Sequence, residues 1–462
     1  MPVPLREVTS GSRLFERLRL RATRFRPAQA ILAGFALAAA VGSVLLTLPV
    51  AKAGPGGATP IEAIFTAVSA ISVTGHVVVD TSRYWTLGGQ IVILALIQLG
   101  GLGVMTFASV VGLIVVRRLS LSTRITAATE ARSVGLDDVG RLVKGVVAIS
   151  LLIEGITAAV LALRFATGYG YLWHEAAWLG LFHGVSSFNN AGFSLFSDNM
   201  IGFAGDPIIS LTISTAVILG GLGFPVLVQL RRHLHRPRAW SMNTRIVVAA
   251  TPLLLVLGTV FITVVEWSNP ATLGKLDWPE RILAGFFQSV QTRTAGFNSV
   301  DIGQLHETTW LGMDVLMLIG GGPAGTAGGI KVTTFAVLLF IVIAEVRGDG
   351  VVNVFGKRLS RAVHRQAIAV VAVSLGVIIA ATGAIMLMTT HGLGPVLFET
   401  ISAFSTVGLS TGITADLPPA AQLVLVVLMF VGRLGPITFA TALALRERQV
   451  LYQLPKERPI IG

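Results

Sequence analysis

Apolar residues along the chain gather into runs long enough to cross a bilayer, at 30–50, 88–116, 145–164, 208–230, 246–265, 310–344, 367–389 and 421–445. A span needs about 20 apolar residues to cover about 30 Å of hydrocarbon. Within each successive pair of runs lies a shorter amphipathic stretch, such as Pro60 to Ser72 or Pro279 to Thr292, too short to cross. Proline near the start of both suits a helix N-terminus, where its missing N–H has no helical partner to lose. A polar turn follows each short stretch. The pattern predicts an all-α membrane protein in which a span, a re-entrant half-helix and a second span form one unit, repeated four times.

Self-similarity supports that reading. Four stretches align on one glycine: SAISVTGHVVVD at Gly75, SSFNNAGFSLFSD at Gly192, QTRTAGFNSVD at Gly296 and SAFSTVGLSTGIT at Gly408. A phenylalanine stands ten residues before each, at Phe65, Phe182, Phe286 and Phe398, and glycine clusters follow 24 to 28 residues later, at Gly100, Gly220, Gly320 and Gly432. The intervals between aligned glycines are 117, 104 and 112 residues. One such stretch alone reads as an ordinary loop, but four in register with shared landmarks do not. The repeats take in 30–116, 142–232, 243–346 and 366–445, joined by linkers at 117–141, 233–242 and 347–365 and flanked by basic termini at 1–29 and 446–462. Irregular backbone at membrane depth is tolerated only where it lines water or protein. Four re-entrant elements in one chain are therefore expected to surround one pseudo-fourfold pore.

The turns are Ser72-Val73-Thr74-Gly75, Asn189-Asn190-Ala191-Gly192, Arg293-Thr294-Ala295-Gly296 and Ser405-Thr406-Val407-Gly408. Small side chains beside a glycine let backbone carbonyls face an axis and replace the hydration shell of a monovalent cation. The turns hold no carboxylate, which argues against an acidic ring selecting Ca²⁺. Half-helices ending there would also aim their negative C-terminal ends at the axis.

Charge placement changes the picture further. The chain is 53% hydrophobic and 13% charged, where soluble domains carry about a quarter charged residues. Its net charge of +12 is not a nucleic-acid footprint, because 27 of 35 lysines and arginines fall at 6–26, 117–144, 231–245, 347–365 and 446–458. All five segments lie on one side of the spans, which the positive-inside rule makes the cytoplasm, with both termini in it. The opposite side is acidic, with Glu62, Asp80, Glu175, Asp198, Asp206, Glu266, Asp301 and Glu399 among its residues; such a mouth concentrates cations, although a hydrated surface explains single acids equally well. The basic stretch 13–26 followed by an apolar run has the outline of a signal peptide, but the run's length and lack of a cleavage site make it the first span. The chain has no cysteine, so disulfides, thiolate metal ligands and thiol nucleophiles are excluded. Within the spans, isolated Glu154 and Asp314 make no paired-acid or metal motif, and no enzyme is expected. Glu154 is expected to hydrogen-bond a neighbouring helix.

At NNAGF (Asn189 to Phe193), TRTAGFN (Thr292 to Asn298), STVGLSTG (Ser405 to Gly412), GPAGTAGGIKVTT (Gly322 to Thr334) and VGRLGPIT (Val431 to Thr438), the chain resembles the Trk/Ktr/HKT superfamily of K⁺ transporters. It is most similar to the Ktr-type membrane subunit, over about residues 30–445. The resemblance implies that the two residues before each glycine supply carbonyls to K⁺: Val73 and Thr74, Asn190 and Ala191, Thr294 and Ala295, Thr406 and Val407. Gly75 at the first filter position implies K⁺ rather than Na⁺. The resemblance also implies gated K⁺ uptake across a bacterial cell membrane by a homodimer with no cofactor of its own. A cytosolic, KtrA-like ring of nucleotide-binding RCK subunits would regulate it, with Na⁺ as an activating ion; membrane lipid and no nucleic acid complete its partners. A symporter of the same fold coupling K⁺ to Na⁺ or H⁺ is the alternative.

Repeat three breaks the pattern. Gly320-Gly321-Gly322-Pro323-Ala324-Gly325-Thr326-Ala327-Gly328-Gly329 cannot stay a stable helix in lipid. It reads as a gate or as a close-packed kink, and the resemblance implies an intramembrane loop that blocks the cavity. GGIK lacks the G-K-[ST] ending of a phosphate loop. Arg433, between Gly432 and Gly435, is costly inside a span, and the resemblance implies an electrostatic barrier working with the loop. Arg293 is expected to brace its half-helix through an acid such as Asp301 or Glu399, and Lys331 to pair with an interior acid or snorkel. His76 stands where an apolar residue is expected and reads as a packing variant facing the outer vestibule, with a pH sensor as the other reading.

Overall fold

A computed structural model describes residues 27–123 and 136–435. Outside it lie the basic segments 6–26 and 446–458, part of the linker 117–141 and the end of the eighth apolar run beyond Gly435. Repeat one consists of α1 (Pro27–Thr47), α2 (Pro60–Ile71) and α3 (Leu87–Thr123). Repeat two consists of α4 (Leu136–Tyr169), α5 (Trp173–Phe188), α6 (Pro207–Leu222) and α7 (Phe224–His233). Repeat three follows with α8 (Met242–Glu266), α9 (Trp278–Gln291), α10 (Glu307–Leu318) and α11 (Val332–Val346). Repeat four has α12 (Arg361–Met388), α13 (Leu393–Phe404) and α14 (Pro419–Leu434). A two-stranded hairpin, β1 (Asn353–Val354) with β2 (Lys357–Arg358), lies in the basic linker between repeats three and four. The chain is thus an all-α, multi-pass membrane fold.

Local sequence explains where the short helices begin. Thr59 and Glu62 cap α2 reciprocally: Glu62 Oε2 accepts the Thr59 N–H at 2.8 Å and Thr59 Oγ1 accepts the Glu62 N–H at 3.4 Å, with Pro60 first in the helix. Asp206 accepts the N–H groups of Ile208 and Ile209 at the start of α6, after which Pro207 costs no bond. At about 1.5 Å per residue, the 12 residues of α2 reach roughly 18 Å, little more than half the hydrocarbon thickness. The four short helices, 12 to 16 residues long, are thus all too short to cross, and the last turn of each leads into a glycine turn.

The main core gathers the short helices behind the turns: Phe65, Phe182 and Phe398 are fully buried. Repeat three shifts by one, with Phe287 at 1% exposure and the aligned Phe286 only half-buried. The run 208–230, expected as one span, is instead two helices bent by 98° at Gly223, which sits at φ 92°. Pro225 contributes no N–H to α7, and the glycines Gly220 and Gly221 weaken the end of α6. Helix α14 likewise stops at Gly435, at φ 83°. The interruption expected in repeat three alone thus also occurs in repeat two.

Candidate functional site

The four turns meet as a closed ring. A Cβ built on Gly75 would strike the Ala191 carbonyl oxygen, one on Gly192 the Ala295 oxygen, one on Gly296 the Val407 oxygen, and one on Gly408 the Thr74 oxygen. Each repeat therefore presses its glycine against the carbonyl of the next, in chain order, and the fourth returns to the first. Any side chain at these positions would wedge the ring apart.

The backbone that forms the ring is strained in the same way in every copy. Val73, Asn190, Thr294 and Thr406, two residues before their glycines, lie at φ 56°, 60°, 73° and 52°, and the glycines themselves at 88°, 68°, 81° and 91°. For β-branched residues the left-handed region is a genuine outlier, at about 1–3 kcal/mol each, and it persists only where surroundings impose it. The imposing contacts come from the half-helices. The N–H groups of Thr74, Ala191 and Val407 each donate at 2.8 Å to the carbonyls of Ser69, Ser186 and Ser402. The same serines hold the far side: Ser69 Oγ donates to His76 O (2.7 Å), Ser186 Oγ donates to Phe193 O (2.9 Å), and Ser402 Oγ accepts the Gly408 N–H (3.1 Å). Repeat three has Val290 at this position, and Gln291 takes over by accepting the Phe297 N–H at 3.3 Å. The sequence reading gave these serines no role, although each opens one of the aligned stretches.

The ring is buried and rich in oxygen. All eight residues that precede the glycines by one or two positions are buried, and the hydroxyls of Ser72, Thr74, Thr294, Ser405 and Thr406 have no hydrogen-bond partner. Buried polar groups ordinarily find partners. Uncommitted neutral oxygens around a turn without carboxylates fit a weakly held monovalent cation as the passing substrate. Among the described residues no cluster of His, Cys, Asp and Glu would hold a resident metal.

Behind the second turn, Glu154 of α4 bonds a neighbouring helix as expected. Gln98 Nε2 donates to both its carboxylate oxygens, at 3.1 and 3.0 Å, and Asn189 Nδ2 donates to Oε1 at 3.0 Å. These contacts tie the first two repeats together behind the ring.

Residues 320–329 leave the helix and cross directly below the turns. The Gly320 N–H donates to Ile330 O at 2.8 Å and the Val332 N–H to Gly321 O at 3.0 Å, which closes the neck of the loop. One flank lies on repeat two: Gly322 N–H donates to Gly221 O (2.7 Å), Thr326 N–H to Gly220 O (3.1 Å), and Ala324 O accepts the Phe224 N–H (3.1 Å). Pro323 O and Gly325 press against Gly223. The Asn190 amide nitrogen donates to Thr326 Oγ1 at 3.0 Å, which links the loop to the second turn. The other flank packs on repeat four, with Gly328 against Thr406 and Gly329 against Ser405. Lys331 Nζ folds back to donate to the Ala327 carbonyl. Arg433, 4% exposed, donates through Nη1 to Thr326 O and through Nη2 to Gly100 O at 3.1 Å. The sequence-selected residues thus form two layers, a ring and a loop beneath it.

Three expectations are corrected: Lys331 meets the carbonyls of Ala327 and Gly328 in place of an interior acid, and Arg293 and His76 also differ. Among the described residues Arg293 pairs with no acid; it donates to the carbonyls of Thr251 and Gly320, both at 3.2 Å. The break after α10 frees the Gly320 carbonyl from helical pairing, and a guanidinium near helix C-terminal ends is favourable. His76 does not face a vestibule. It is fully buried, with Nδ1 3.4 Å from Glu399 Oε2.

Residues 28–451 match the cation transport protein family TrkH. The chain is 40% identical over 425 residues to the Ktr system potassium uptake protein B of Bacillus subtilis, covering 92% of this chain and 94% of that one. It is 41% identical to the protein of the same name from Vibrio alginolyticus (91% of each chain) and 33% identical to the potassium/sodium uptake protein NtpJ of Enterococcus hirae (95% and 98%). The fold is that of the crystal structure of the potassium transporter TrkH from Vibrio parahaemolyticus, with a TM-score of 0.71 at 16% identity over 90% of this chain and 84% of that one. The chain belongs to the TrkH family, a family of cation transporters and not of enzymes.

Proposed function

We propose that this protein carries K⁺ into the cell through a selective, gated pore. The observation that carries the proposal is the closed ring of four glycine turns, each glycine packed on the next repeat's carbonyl. On this reading the carbonyls of Val73 and Thr74, Asn190 and Ala191, Thr294 and Ala295, and Thr406 and Val407 replace the hydration shell of K⁺. The loop 320–329, with Arg433 beneath the ring, closes the pathway. Relatives named for K⁺ uptake, 40% and 41% identical across nearly their full lengths, support the choice of ion.

The same likeness supports a Ktr-type assembly: a homodimer in the bacterial inner membrane with cytoplasmic termini, under a cytosolic ring of nucleotide-binding RCK subunits, with Na⁺ as activator. Regulation then acts on the crossing loop from the basic side. The test is K⁺-limited growth of a strain lacking its own K⁺ uptake systems. Wild type is expected to rescue only with a partner subunit, Gly75→Ser to lose K⁺ preference, and a deletion within 320–329 to rescue without the partner. A deletion that still needs the partner removes the gate assignment.

The name of the Enterococcus relative, which includes sodium, favours a second reading in which K⁺ and Na⁺ move together. In proteoliposomes a passive pore reverses at the K⁺ potential alone, whereas a coupled carrier reverses at a potential set by both gradients.

A further inference from the structure

A ring closed from one linear chain has a seam. Consecutive repeats are joined by the chain itself, whereas repeats four and one meet only through non-covalent contacts such as Gly408 on the Thr74 carbonyl. That seam sets a buried histidine against a buried acid of another repeat: His76 Nδ1 stands 3.4 Å from Glu399 Oε2 and 3.5 Å from Thr414 Oγ1, with the His76 and Glu399 side chains out of solvent. The Arg–Asp pairs, Arg83 with Asp80 and Arg164 with Asp206, each stay inside one repeat.

Comparison of the copies shows how far the pair departs from the common plan. The residue after the ring glycine is Phe193, Phe297 or Leu409 in the other repeats, each apolar and buried, and only the first has an imidazole. Nine residues before the ring glycine, repeat two has His183 and repeat four has Glu399. His183 serves its own turn alone, with Nε2 3.1 Å from Ser194 Oγ and accepting the Leu195 N–H at 3.3 Å. Glu399 does the equivalent for its own repeat: Oε1 accepts from Ser410 Oγ at 2.7 Å and from the Thr411 N–H at 2.8 Å, and Oε2 accepts from Thr414 Oγ1 at 2.8 Å. It then reaches across the seam. Asp314 of α10 lies within electrostatic reach of the same carboxylate, and neither acid pairs with a lysine or arginine among the described residues. The donors around Glu399 satisfy the carboxylate's oxygens but bring no opposite charge, which a buried carboxylate favours, and the imidazole is the ionisable group that stands against it.

We propose that His76 and Glu399 form a positioning clasp that holds the ring closed at its seam and so sets the discrimination between K⁺ and Na⁺. The inference rests on the filter reading above. Neither side chain is a ligand to the ion. His76 follows Gly75 directly, so anchoring the imidazole to α13 fixes the distance between the Thr74 carbonyl and Gly408. A loosened joint lets the oxygens close around the smaller Na⁺, whereas a fixed one does not.

The test is the reversal potential of purified protein in liposomes under opposed K⁺ and Na⁺ gradients, for wild type, His76→Leu, His76→Gln and Glu399→Gln. His76→Leu installs the apolar side chain that repeat four uses at the same place. It is expected to keep K⁺ flux and lower the K⁺/Na⁺ ratio about fivefold, the scale of one modest polar contact. His76→Gln, which retains an N–H donor for Glu399, is expected to restore most of the ratio. Should His76→Leu fail to accumulate, loss of selectivity in Glu399→Gln with retention in His76→Gln supports the clasp. Unchanged selectivity in His76→Leu or in Glu399→Gln, or equal loss in His76→Gln and His76→Leu, overturns it. A wild-type reversal potential indifferent to the K⁺ gradient instead sinks the filter reading beneath it.

Discussion

Replacing Arg433 by alanine is expected to raise resting K⁺ flux. The guanidinium joins three repeats: it projects from α14 of repeat four, donates to Thr326 O on the loop of repeat three, and donates to Gly100 O on α3 of repeat one. It shares a cavity of about 160 Å³ beneath the ring with Ala324, Gly325, Gly329, Lys331 and Gly432. The corresponding positions in repeats one and two, within Gly100-Gly101-Leu102-Gly103 and Gly220-Gly221-Leu222-Gly223, are the glycines Gly101 and Gly221, so at this aligned position only repeat four of the three carries a charge. A hydrogen bond to a charged donor contributes about 2 kcal/mol, so losing the one to Thr326 moves a closed-to-open equilibrium of the loop about thirtyfold. Removing the positive charge lowers the barrier to a cation further. The assay is uptake of radiolabelled rubidium into liposomes without partner protein, normalised to inserted protein. Arg433→Lys keeps the charge but, as a point donor, cannot span both carbonyls; it is expected to give intermediate flux, separating tether from field. Equal or lower flux in Arg433→Ala at equal protein would refute the reasoning.

Thr326→Val keeps the shape but removes the hydroxyl that meets Asn190. A neutral hydrogen bond contributes about 1 kcal/mol, so rubidium leak should rise several-fold, well short of Arg433→Ala; a leak equal to wild type would mean that the contact does not hold the loop. Asp206, at the start of α6, is partly desolvated, but the Arg164 guanidinium at 2.7 Å, the Ile209 N–H and the Tyr169 hydroxyl outweigh that and hold its carboxyl below the usual carboxylate range. A depressed native pKa contributes stability that is fully present above the unfolded value, about 3.9, and is lost as pH falls from there through the lower native value. Thermal unfolding in detergent should therefore show an acid-side loss that Asp206→Asn flattens, and a parallel loss in both proteins would contradict it.

Much of this architecture is legible in the sequence because the repeat was registered on residues whose roles are backbone roles. Gly75, Gly192, Gly296 and Gly408 align in sequence and touch in space, since no other residue fits against a neighbouring carbonyl at positive φ. What escaped is imposed by tertiary contact. Val73, Thr294 and Thr406 are β-branched, and nothing in their propensity predicts left-handed backbone. Only the half-helix carbonyls and the neighbouring turns hold them there. Arg293 was matched to acids because acids are visible in a sequence, whereas a carbonyl freed by a helix break is not. The bend at Gly223 had a signal in Gly220-Gly221 and Pro225, but the apolar run through it was continuous.

The strain at the ring and the loop below it belong to one mechanical unit. Each left-handed residue stores about 1–3 kcal/mol, which its surroundings must outweigh. For repeats two and four those surroundings include the loop: Asn190 donates to Thr326, and Thr406 packs on Gly328. The first turn leans on His76 against Glu399, and the third on Gln291 against the Phe297 N–H, with Arg293 meeting the loop only at its neck, on Gly320 O. Withdrawing the loop therefore unloads two facing turns while their neighbours keep their braces. On the gate reading proposed above, the loop cannot open without perturbing the ring along the axis from repeat two to repeat four, which would couple ion preference to gating through Asn190 and Thr406.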